Sequence, residues 1–421
     1  MYGLLGRTLA HSFSPLIHSL LGNKNYHLFE TDDLETFFRK RNFQGINVTI
    51  PYKEVVAPFL DEIDPLSQRT GSVNTIINRN NRLWGTDTDY LGLQHLLAHN
   101  AVDVGGKHVV ILGNGGAAKT CECLMRDLSA ASVRKLARNP KADNEFPFAE
   151  LDKVSDCDII INTTPVGMYP HNDDPALISL RQFPRLETVV DIIYNPLRSA
   201  LILDAEAHGR KSIPGLMMLI AQAKAAHDLF FGKTTPNKEI VRIHRILRER
   251  MLNLVLIGMP MSGKSLYAHS LNNRYHKKLI DTDREIEKQT ALTVAEIFEK
   301  KGEPYFREQE YNIVKSFYKE HGLMIATGGG MVQNHALMSL LKQNGLLIFI
   351  DKDKAALASR QIKNRPLIKN VDDVYKLYDR RHPLYEKYAD IIIKIADGEA
   401  DHQREIEAKI DEYLSGKRTK P

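Results

Sequence analysis

Two stretches of this chain put glycine where a backbone has to wrap an anion. Gly113-Asn114-Gly115-Gly116-Ala117-Ala118 satisfies G-x-G-x-x-[GA], in which glycine permits a tight turn and lets N–H groups close on a pyrophosphate at a helix N-terminus. Gly258-Met259-Pro260-Met261-Ser262-Gly263-Lys264-Ser265 satisfies G-x-x-x-x-G-K-[ST]. There the N–H groups cradle phosphate oxygens, Lys264 reaches the outer phosphates and Ser265 is placed to ligate Mg2+. The first pattern implies a dinucleotide. The second implies a nucleoside triphosphate and leaves an ATPase, a GTPase and a small-molecule kinase open. At the end of the strand after the first loop the chain reads Leu136-Ala137-Arg138-Asn139. An arginine there, with no carboxylate to repel a 2′-phosphate, favours NADP(H) over NAD.

Both loops need a rigid strand behind them, and both have one. KHVVIL at 107–112 and LNLVLI at 252–257 are aliphatic runs of the kind that form buried parallel strands, each turning through glycine into a helix-compatible stretch. Two such starts imply two parallel sheets. The segment of about 100 residues ahead of the first loop is too long to be a connection and is expected to be a domain. In it, INVTI entering PYK reads as a strand and turn, and SVNTIIN entering RNNR as a strand and tight turn. KEIVRIHRILRERM, at 238–251, reads as a basic amphipathic helix running to a joint near 247–251, where Met251 precedes the second strand without a Gly/Ser or Pro spacer.

Composition narrows the classes. Lys plus Arg number 57 against 52 for Asp plus Glu, and the net +5 is spread rather than blocked, which suits anionic small molecules and speaks against nucleic acid. Apolar residues make up 43% of the chain, enough for buried cores. No apolar run approaches the roughly 18–20 residues of a membrane helix. MYGLLGRTLAHSFS lacks the basic segment and apolar core of a secretory signal. Cys121, Cys123 and Cys157 have no zinc-site spacing and fit a reducing cytoplasm.

Six further motifs occur in order. They are Ser12-Phe13-Ser14-Pro15, Asn47-Val48-Thr49-Ile50-Pro51-Tyr52-Lys53, Val73-Asn74-Thr75, Gly85-Thr86-Asp87-Thr88-Asp89, INTTPVGM at 161–168 and GLMMLIAQA at 215–223. Through them residues 1–247 resemble shikimate dehydrogenase. The resemblance implies a substrate domain from 1–100 plus 217–248 and a Rossmann-like NADP domain at 101–216. It assigns Ser12 and Ser14, which share a face if their segment is extended, to the substrate carboxylate. Thr49, Asn74 and Gln222 would hold hydroxyls, and Lys53 and Asp89 would be the catalytic pair. Gly113, Asn114, Gly115, Gly116, Ala117, Arg138, Thr163 and Gly215 would bind NADP(H). Three departures stand out. Asp87 replaces the usual asparagine and adds a carboxylate near Asp89, which should raise a pKa there. Tyr90 replaces a common glycine. The cofactor-side N-R-T becomes Ala137-Arg138-Asn139, with Asn139 and Lys141 left to compensate.

From Met251 onward the motifs change. Asp281-Thr282-Asp283, the pattern I-F-x-x-x-G-E-x-x-F-R-x-x-E from Ile297 to Glu310, Thr327-Gly328-Gly329-Gly330, Arg365-Pro366-Leu367 and Arg381-His382-Pro383-Leu384-Tyr385 resemble shikimate kinase. That resemblance implies ATP on Met261, Ser262, Gly263, Lys264 and Ser265 with Arg365 on a lid, and Arg360 toward the adenine. It implies shikimate on Asp283, Arg307, Gly329, Gly330 and Arg381. Lys264 and Asp283 would be catalytic, Asp283 as base. Ser265 and Asp281 would form the Mg2+ shell, Asp281 lying two residues before Asp283 and so on the same strand face. Past residue 400 a charged, peripheral helix is expected.

The expected architecture is α/β: a two-domain dehydrogenase followed by a P-loop kinase domain with a parallel sheet at 251–421. The expected function is two consecutive steps, 3-dehydroshikimate to shikimate with NADPH and shikimate to 3-phosphoshikimate with ATP and Mg2+. Small molecules are the only partners implied, with no nucleic acid or membrane, a cytoplasmic location, and an oligomeric state open between monomer and homodimer. Two alternatives are a quinate/shikimate dehydrogenase joined to the kinase and a catalytically inactive metabolite-sensing regulator. The second has no reason to keep Lys53, Asp89, Lys264, Asp283, Arg307 and Arg381 together.

Overall fold

Aliphatic strands separated by helix-length segments bury their apolar faces by lying side by side under helices. In the computed structural model, which describes residues 1–359, 367–368, 370–395 and 402–415, this produces two compact units, Met1–His244 and Arg245–Pro421. The division falls inside the helix Lys238–Met251, ahead of the joint expected near 247–251, because the basic amphipathic helix runs through that point.

The first unit contains two sheets. Strands β1 (Tyr2–Gly6), β2 (Tyr26–Glu30), β3 (Gly45–Val48), β4 (Glu62–Ile63), β5 (Thr75–Arg79) and β6 (Arg82–Thr86) take the order β2-β1-β3-β5-β6-β4. This sheet is mixed: β1 is parallel to β2 and β3, while β5 is antiparallel to β3 and β6. The β5–β6 hairpin turns at Asn80 and Asn81, whose φ of 53° and 63° are those a two-residue hairpin demands and asparagine tolerates. Leu5, Ile46, Val48, Ile76 and Leu83 fill its core.

The second sheet, β7 (His108–Leu112), β8 (Ser132–Leu136), β9 (Glu145–Phe146), β10 (Ile159–Asn162), β11 (Thr188–Asp191) and β12 (Lys211–Pro214), is parallel throughout in the order β12-β11-β10-β7-β8-β9. The first glycine loop leaves β7, where the strand order reverses, and enters the helix Gly116–Asp127. Such a switch point opens a crevice at the strand ends.

The second unit is a five-stranded parallel sheet of β13 (Asn253–Ile257), β14 (Lys278–Asp281), β15 (Leu323–Ala326), β16 (Gly345–Lys352) and β17 (Ile391–Ile395), ordered β14-β15-β13-β16-β17. All of β13 is buried, and its loop enters the helix Lys264–Tyr275. The helix His402–Leu414 buries Ile406, Ile410 and Leu414. Among the described residues no helix is long and apolar enough to cross a membrane.

One helix pair packs against the first sheet of this unit. Leu216–Phe231, which comes after the second sheet in sequence, packs Ala226 and Phe230 with Leu4, Tyr26 and Ile77 of the first. It also lies against Thr88–His99, and Gly92 makes the approach possible. A Cβ there would stand 2.8 Å from the Met218 carbonyl oxygen and 2.9 Å from Gln222 Cβ. Backbone cannot yield as a side chain does, so Gly92→Ala should destabilise this unit by about 1–3 kcal/mol. The expected result is a lower urea midpoint for the full chain, monitored by the fluorescence of Trp84, its single tryptophan; an unchanged midpoint would show that the helices have room to spare.

Candidate active sites

Lys53 stands in the turn after β3 and Asp89 in the first turn of the helix Thr88–His99, and Lys53 Nζ lies 2.5 Å from Asp89 Oδ2. Both side chains are largely buried. Burial pulls the Lys53 pKa down, but the Asp89 charge and hydrogen bond outweigh it and the net shift is upward, so Lys53 stays an ammonium. Asn74 joins the pair through backbone. The Lys53 carbonyl accepts from Val73 N at 2.9 Å, and Asn74 Oδ1 accepts from Thr88 N at 2.7 Å, next to Asp89. Gln222 packs against Gly92, one turn beyond Asp89. Thr49 continues β3 toward Lys53, its N–H donating to the Leu5 carbonyl at 2.9 Å.

The extended segment expected for Ser12 and Ser14 is not found. Phe13 is in the right-handed helical region (φ −83°, ψ −4°) and Pro15 opens the helix Ser14–Leu20. The two serines are related by a turn in which Ser14 N donates to Ser12 Oγ at 3.2 Å, not by strand alternation. The Phe13 ring lies edge-on to Tyr194, 6.2 Å between centroids, which adds a phenol to this corner that the motifs alone left unassigned.

Both departures around Asp89 face the helix Gly116–Asp127. Asp87 is fully buried; its Oδ1 accepts from Asp89 N at 3.1 Å and its Oδ2 accepts from the Thr120 hydroxyl at 2.5 Å. Burial first, then the Asp89 charge, push its pKa up to about 7. The rise expected near Asp89 therefore falls on Asp87. The Tyr90 hydroxyl donates to Asp127 Oδ2 at 2.7 Å, and Arg69 pairs with Asp127 Oδ1 at 2.5 Å.

In the first glycine loop Gly113 has φ 107°, and a Cβ there would meet Thr163 Oγ1 at 2.9 Å. The Thr163 hydroxyl donates to the Leu112 carbonyl at 2.7 Å, fixing the ends of β7 and β10 together. Gly215 is equally constrained, since a Cβ would lie 2.1 Å from the Ile192 oxygen. Around Gly115 the nearest atom to an added Cβ is Glu54 Oε1, 3.8 Å away, and Ala117 comes next in the first helical turn, where N–H groups lack intrahelical acceptors. The loop is thus an open cradle of donors. Arg138 is exposed just past β8. One expectation needs correcting: a carboxylate does reach this corner. Glu145 Oε2 accepts from Asn114 Nδ2 at 2.9 Å and from Lys141 N at 2.8 Å, while its Oε1 pairs with Lys135 Nζ at 2.9 Å. Lys135 balances its charge, and Asn114 also donates to the Asn139 carbonyl at 3.0 Å, tying the basic turn to the loop.

In the second unit Gly263 takes φ 97° and Met261 φ 69° in the loop. Lys264 Nζ donates to the carbonyls of Gly258 and Met259 at 3.0 and 2.9 Å. Among the described residues Ser262 Oγ is buried with no hydrogen-bond partner, a hydroxyl in the cradle that a phosphate oxygen would satisfy. Ser265 Oγ donates to Asp281 Oδ2 at 2.7 Å. Strand alternation does not relate Asp281 to Asp283: Asp281 ends β14 and caps the helix Thr282–Thr290, whose first turn holds Asp283.

The arginines converge on the glycine run. Arg307 bonds Glu303 through Nε and Nη2 at 3.1 and 2.7 Å and Glu310 through Nη1 at 2.6 Å, which among the described residues leaves two of its five N–H donors uncommitted. A Cβ on Gly330 would lie 2.3 Å from that guanidinium, and one on Gly328 2.6 Å from Asp283 Oδ1 and 2.7 Å from Glu310 Oε1. Arg381 is 2% exposed, with Nε on Gln333 Oε1 at 3.1 Å. Burial lowers its pKa and the nearby Arg307 charge adds to this. The Tyr385 hydroxyl donates to the Gly329 carbonyl. Burial pushes Glu310 up to about 7. Its three-residue spacing from Arg307 on one helix is a signal of this contact; nothing local points to Gln333. Arg360 and Arg365 lie outside the described residues.

Comparison with known proteins respects this division. The family model for the shikimate dehydrogenase substrate binding domain matches residues 4–76, and that for shikimate kinase matches 260–414. A shikimate dehydrogenase (NADP(+)) from Methanococcus maripaludis is 32% identical over 255 residues, covering 55% of this chain and 92% of that protein. One from Halothermothrix orenii is 36% identical over 261 residues, covering 55% and 90%. Among solved structures, a chorismate mutase/shikimate 5-dehydrogenase fusion protein from Clostridium acetobutylicum aligns with a TM-score of 0.55 at 32% identity, covering 59% of this chain and 97% of that one. Shikimate 5-dehydrogenase from Thermus thermophilus, in complex with NADP(H) and shikimate, aligns with a TM-score of 0.51 at 29% identity over 57% and 96%. Through its first unit the chain belongs to the shikimate dehydrogenase family, and its second unit carries a shikimate kinase domain.

Proposed function

We propose that the chain is a bifunctional enzyme that makes shikimate and then consumes it. The first unit reduces 3-dehydroshikimate with NADPH, and the second phosphorylates shikimate to 3-phosphoshikimate with ATP. One observation carries the proposal: a single polypeptide joins a buried Lys–Asp pair and a dinucleotide loop to a triphosphate loop with two converging arginines. The families with these two arrangements share one small hydroxylated carboxylate. We assign the substrate domain to 1–100 plus 217–248, the NADP domain to 101–216 and the kinase domain to 251–421, and place the enzyme in the cytoplasm.

In the first unit Ser12 and Ser14 would hold the carboxylate, and Thr49, Asn74 and Gln222 the hydroxyls. Gly113, Asn114, Gly115, Gly116, Ala117, Arg138, Thr163 and Gly215 would hold NADP(H), which when bound supplies the hydride. As the ketone carbon is reduced, negative charge grows on its oxygen. The Lys53 ammonium stabilises that charge and donates the proton that completes the hydroxyl, while Asp89 holds the ammonium in line.

In the second unit Met261, Ser262, Gly263, Lys264 and Ser265 would hold ATP, joined by Arg365 from outside the described residues. Ser265 and Asp281 would hold Mg2+; a hydroxyl and a carboxylate 2.7 Å apart are the hard oxygen donors that ion takes. When bound, ATP and Mg2+ supply the phosphoryl group and the charge that offsets it. Arg307 and Arg381 would grip the carboxylate, and Gly329 and Gly330 let the backbone close on the ring. Asp283 would accept the proton of the attacking 3-hydroxyl.

A coupled assay on the full chain tests the whole. Given 3-dehydroshikimate, NADPH, ATP and Mg2+, it should yield 3-phosphoshikimate; absence of that product would overturn the proposal. Lys53→Ala should slow reduction about 10²–10⁴-fold and leave phosphorylation of added shikimate intact. Lys264→Ala should do the reverse.

Asp87 adds a pH dependence. With a folded-state pKa raised to about 7 from 3.8, the native state binds the extra proton between those values. Its stabilising contribution is full below pH about 4 and is lost as pH rises through about 7. Asparagine caps a helix as well as aspartate, so between pH 5.5 and 8 the urea midpoint of Asp87→Asn should rise relative to that of the wild-type chain. A constant difference would mean that Asp87 does not titrate there.

A further inference from the structure

The hydrogens around Asn74 can be counted one by one. Asn74 is 2% exposed. Its Oδ1 lies 2.7 Å from Thr88 N, 3.0 Å from Thr88 Oγ1 and 3.0 Å from Thr75 Oγ1. A backbone N–H can only donate, so the atom facing it has to be the amide oxygen, and the orientation of the side chain is fixed without appeal to its other neighbours. The two threonine hydroxyls are themselves 3.0 Å apart, and Thr75 Oγ1 accepts from Asn47 Nδ2 at 3.0 Å. Two hydroxyl hydrogens therefore serve three edges of a triangle. However they are shared, at least one reaches Asn74 Oδ1, which with the Thr88 N–H fills both of its lone-pair directions. Among the described residues Asn74 Nδ2 donates to no protein acceptor, because the acceptor side of the amide is consumed and the donor side is left over.

We infer that Asn74 meets the substrate as a hydrogen-bond donor only, and that Thr75 and Thr88 are positioning residues that make it so. The inference deepens the proposed dehydrogenase site and rests on Asn74 facing substrate there. It has a consequence for specificity: the substrate hydroxyl at this point must accept from Asn74 and send its own proton elsewhere, so a group that can only donate, such as an ammonium, is rejected. It also joins binding to chemistry, since the Thr88 N–H that fixes Asn74 belongs to the turn that carries Asp89.

The test uses the full-length chain and the kinetics of 3-dehydroshikimate reduction. In the pair Thr75→Val plus Thr88→Val, Oδ1 keeps only the backbone N–H and the amide can turn about its last torsion. KM should rise about 5–10-fold, the worth of one hydrogen bond, with kcat within twofold of wild type. Thr75→Ser plus Thr88→Ser, which restores both hydroxyls, should return KM to the wild-type value. Each single valine variant leaves two donors on Oδ1, so each should raise KM less than about threefold, and the double effect should exceed their product. If the double variant fails to fold, the single variants and the serine pair still decide: a serine pair with a KM as poor as a valine variant would overturn the inference, as would a double variant with unchanged KM. Asn74→Asp separates this from the underlying site assignment. Its outward oxygen can only accept when ionised, so KM should rise at least about 10-fold at pH 8 and recover as the pH falls relative to the wild-type chain. An unchanged KM in Asn74→Asp would remove Asn74 from the site altogether. A raised KM there, with no effect of the valine pair, would leave the site assignment standing and reject the threonines.

Discussion

A charge taken out of water has to meet its opposite, and the first unit is arranged around one such meeting, Lys53 on Asp89. Removing either partner of a pair this buried typically costs about 3–5 kcal/mol, because the other is left uncompensated. The constraint reaches outward. Asp89 must sit in the first turn of its helix, Gly92 one turn later must be bare to admit the neighbouring helix, and that neighbour brings Gln222. Asp87 puts a further carboxylate in the same desolvated corner, and it is held by Asp89 N and by Thr120 rather than by a cation.

Charge matching also organises the other two sites, with different partners. Beside the dinucleotide loop, Lys135 bridges Glu122 and Glu145 at 2.6 and 2.9 Å, so that an acid can brace Asn114 without repelling an anionic ligand. In the kinase domain Glu303 and Glu310 hold Arg307, while Arg381 has Gln333, a neutral partner. The Arg307 charge, with burial, lowers the proton affinity of Arg381, an arrangement that a carboxylate ligand would complete, and the bare glycines beside Arg307 would leave space for a ring.

Much of this is legible in one dimension, where motif residues carry their own geometry. The loops after β7 and β13, the Asn80-Asn81 turn and the strands that precede them obey local rules about glycine, asparagine and aliphatic runs. Local rules also mislead where one element gives way to another. Alternation puts Ser12 and Ser14 on one face, but Pro15 begins a helix and the pair becomes a turn. Asp281 and Asp283 fail for the same reason, since β14 ends at the first of them.

The types of group present, and the anions they could meet, were settled by the order of residues along the chain, because a glycine loop, a Lys–Asp pairing and an arginine run are chemical inventories that need no coordinates. Which lone pair is already filled, which acid stands in a guanidinium's way and which carboxylate absorbs the mutual repulsion were decided only in three dimensions. Glu145 reaches Asn114 across 31 residues and Gln333 reaches Arg381 across 48, and hydrogen bonds act over about 3 Å, a distance no spacing along a sequence can express.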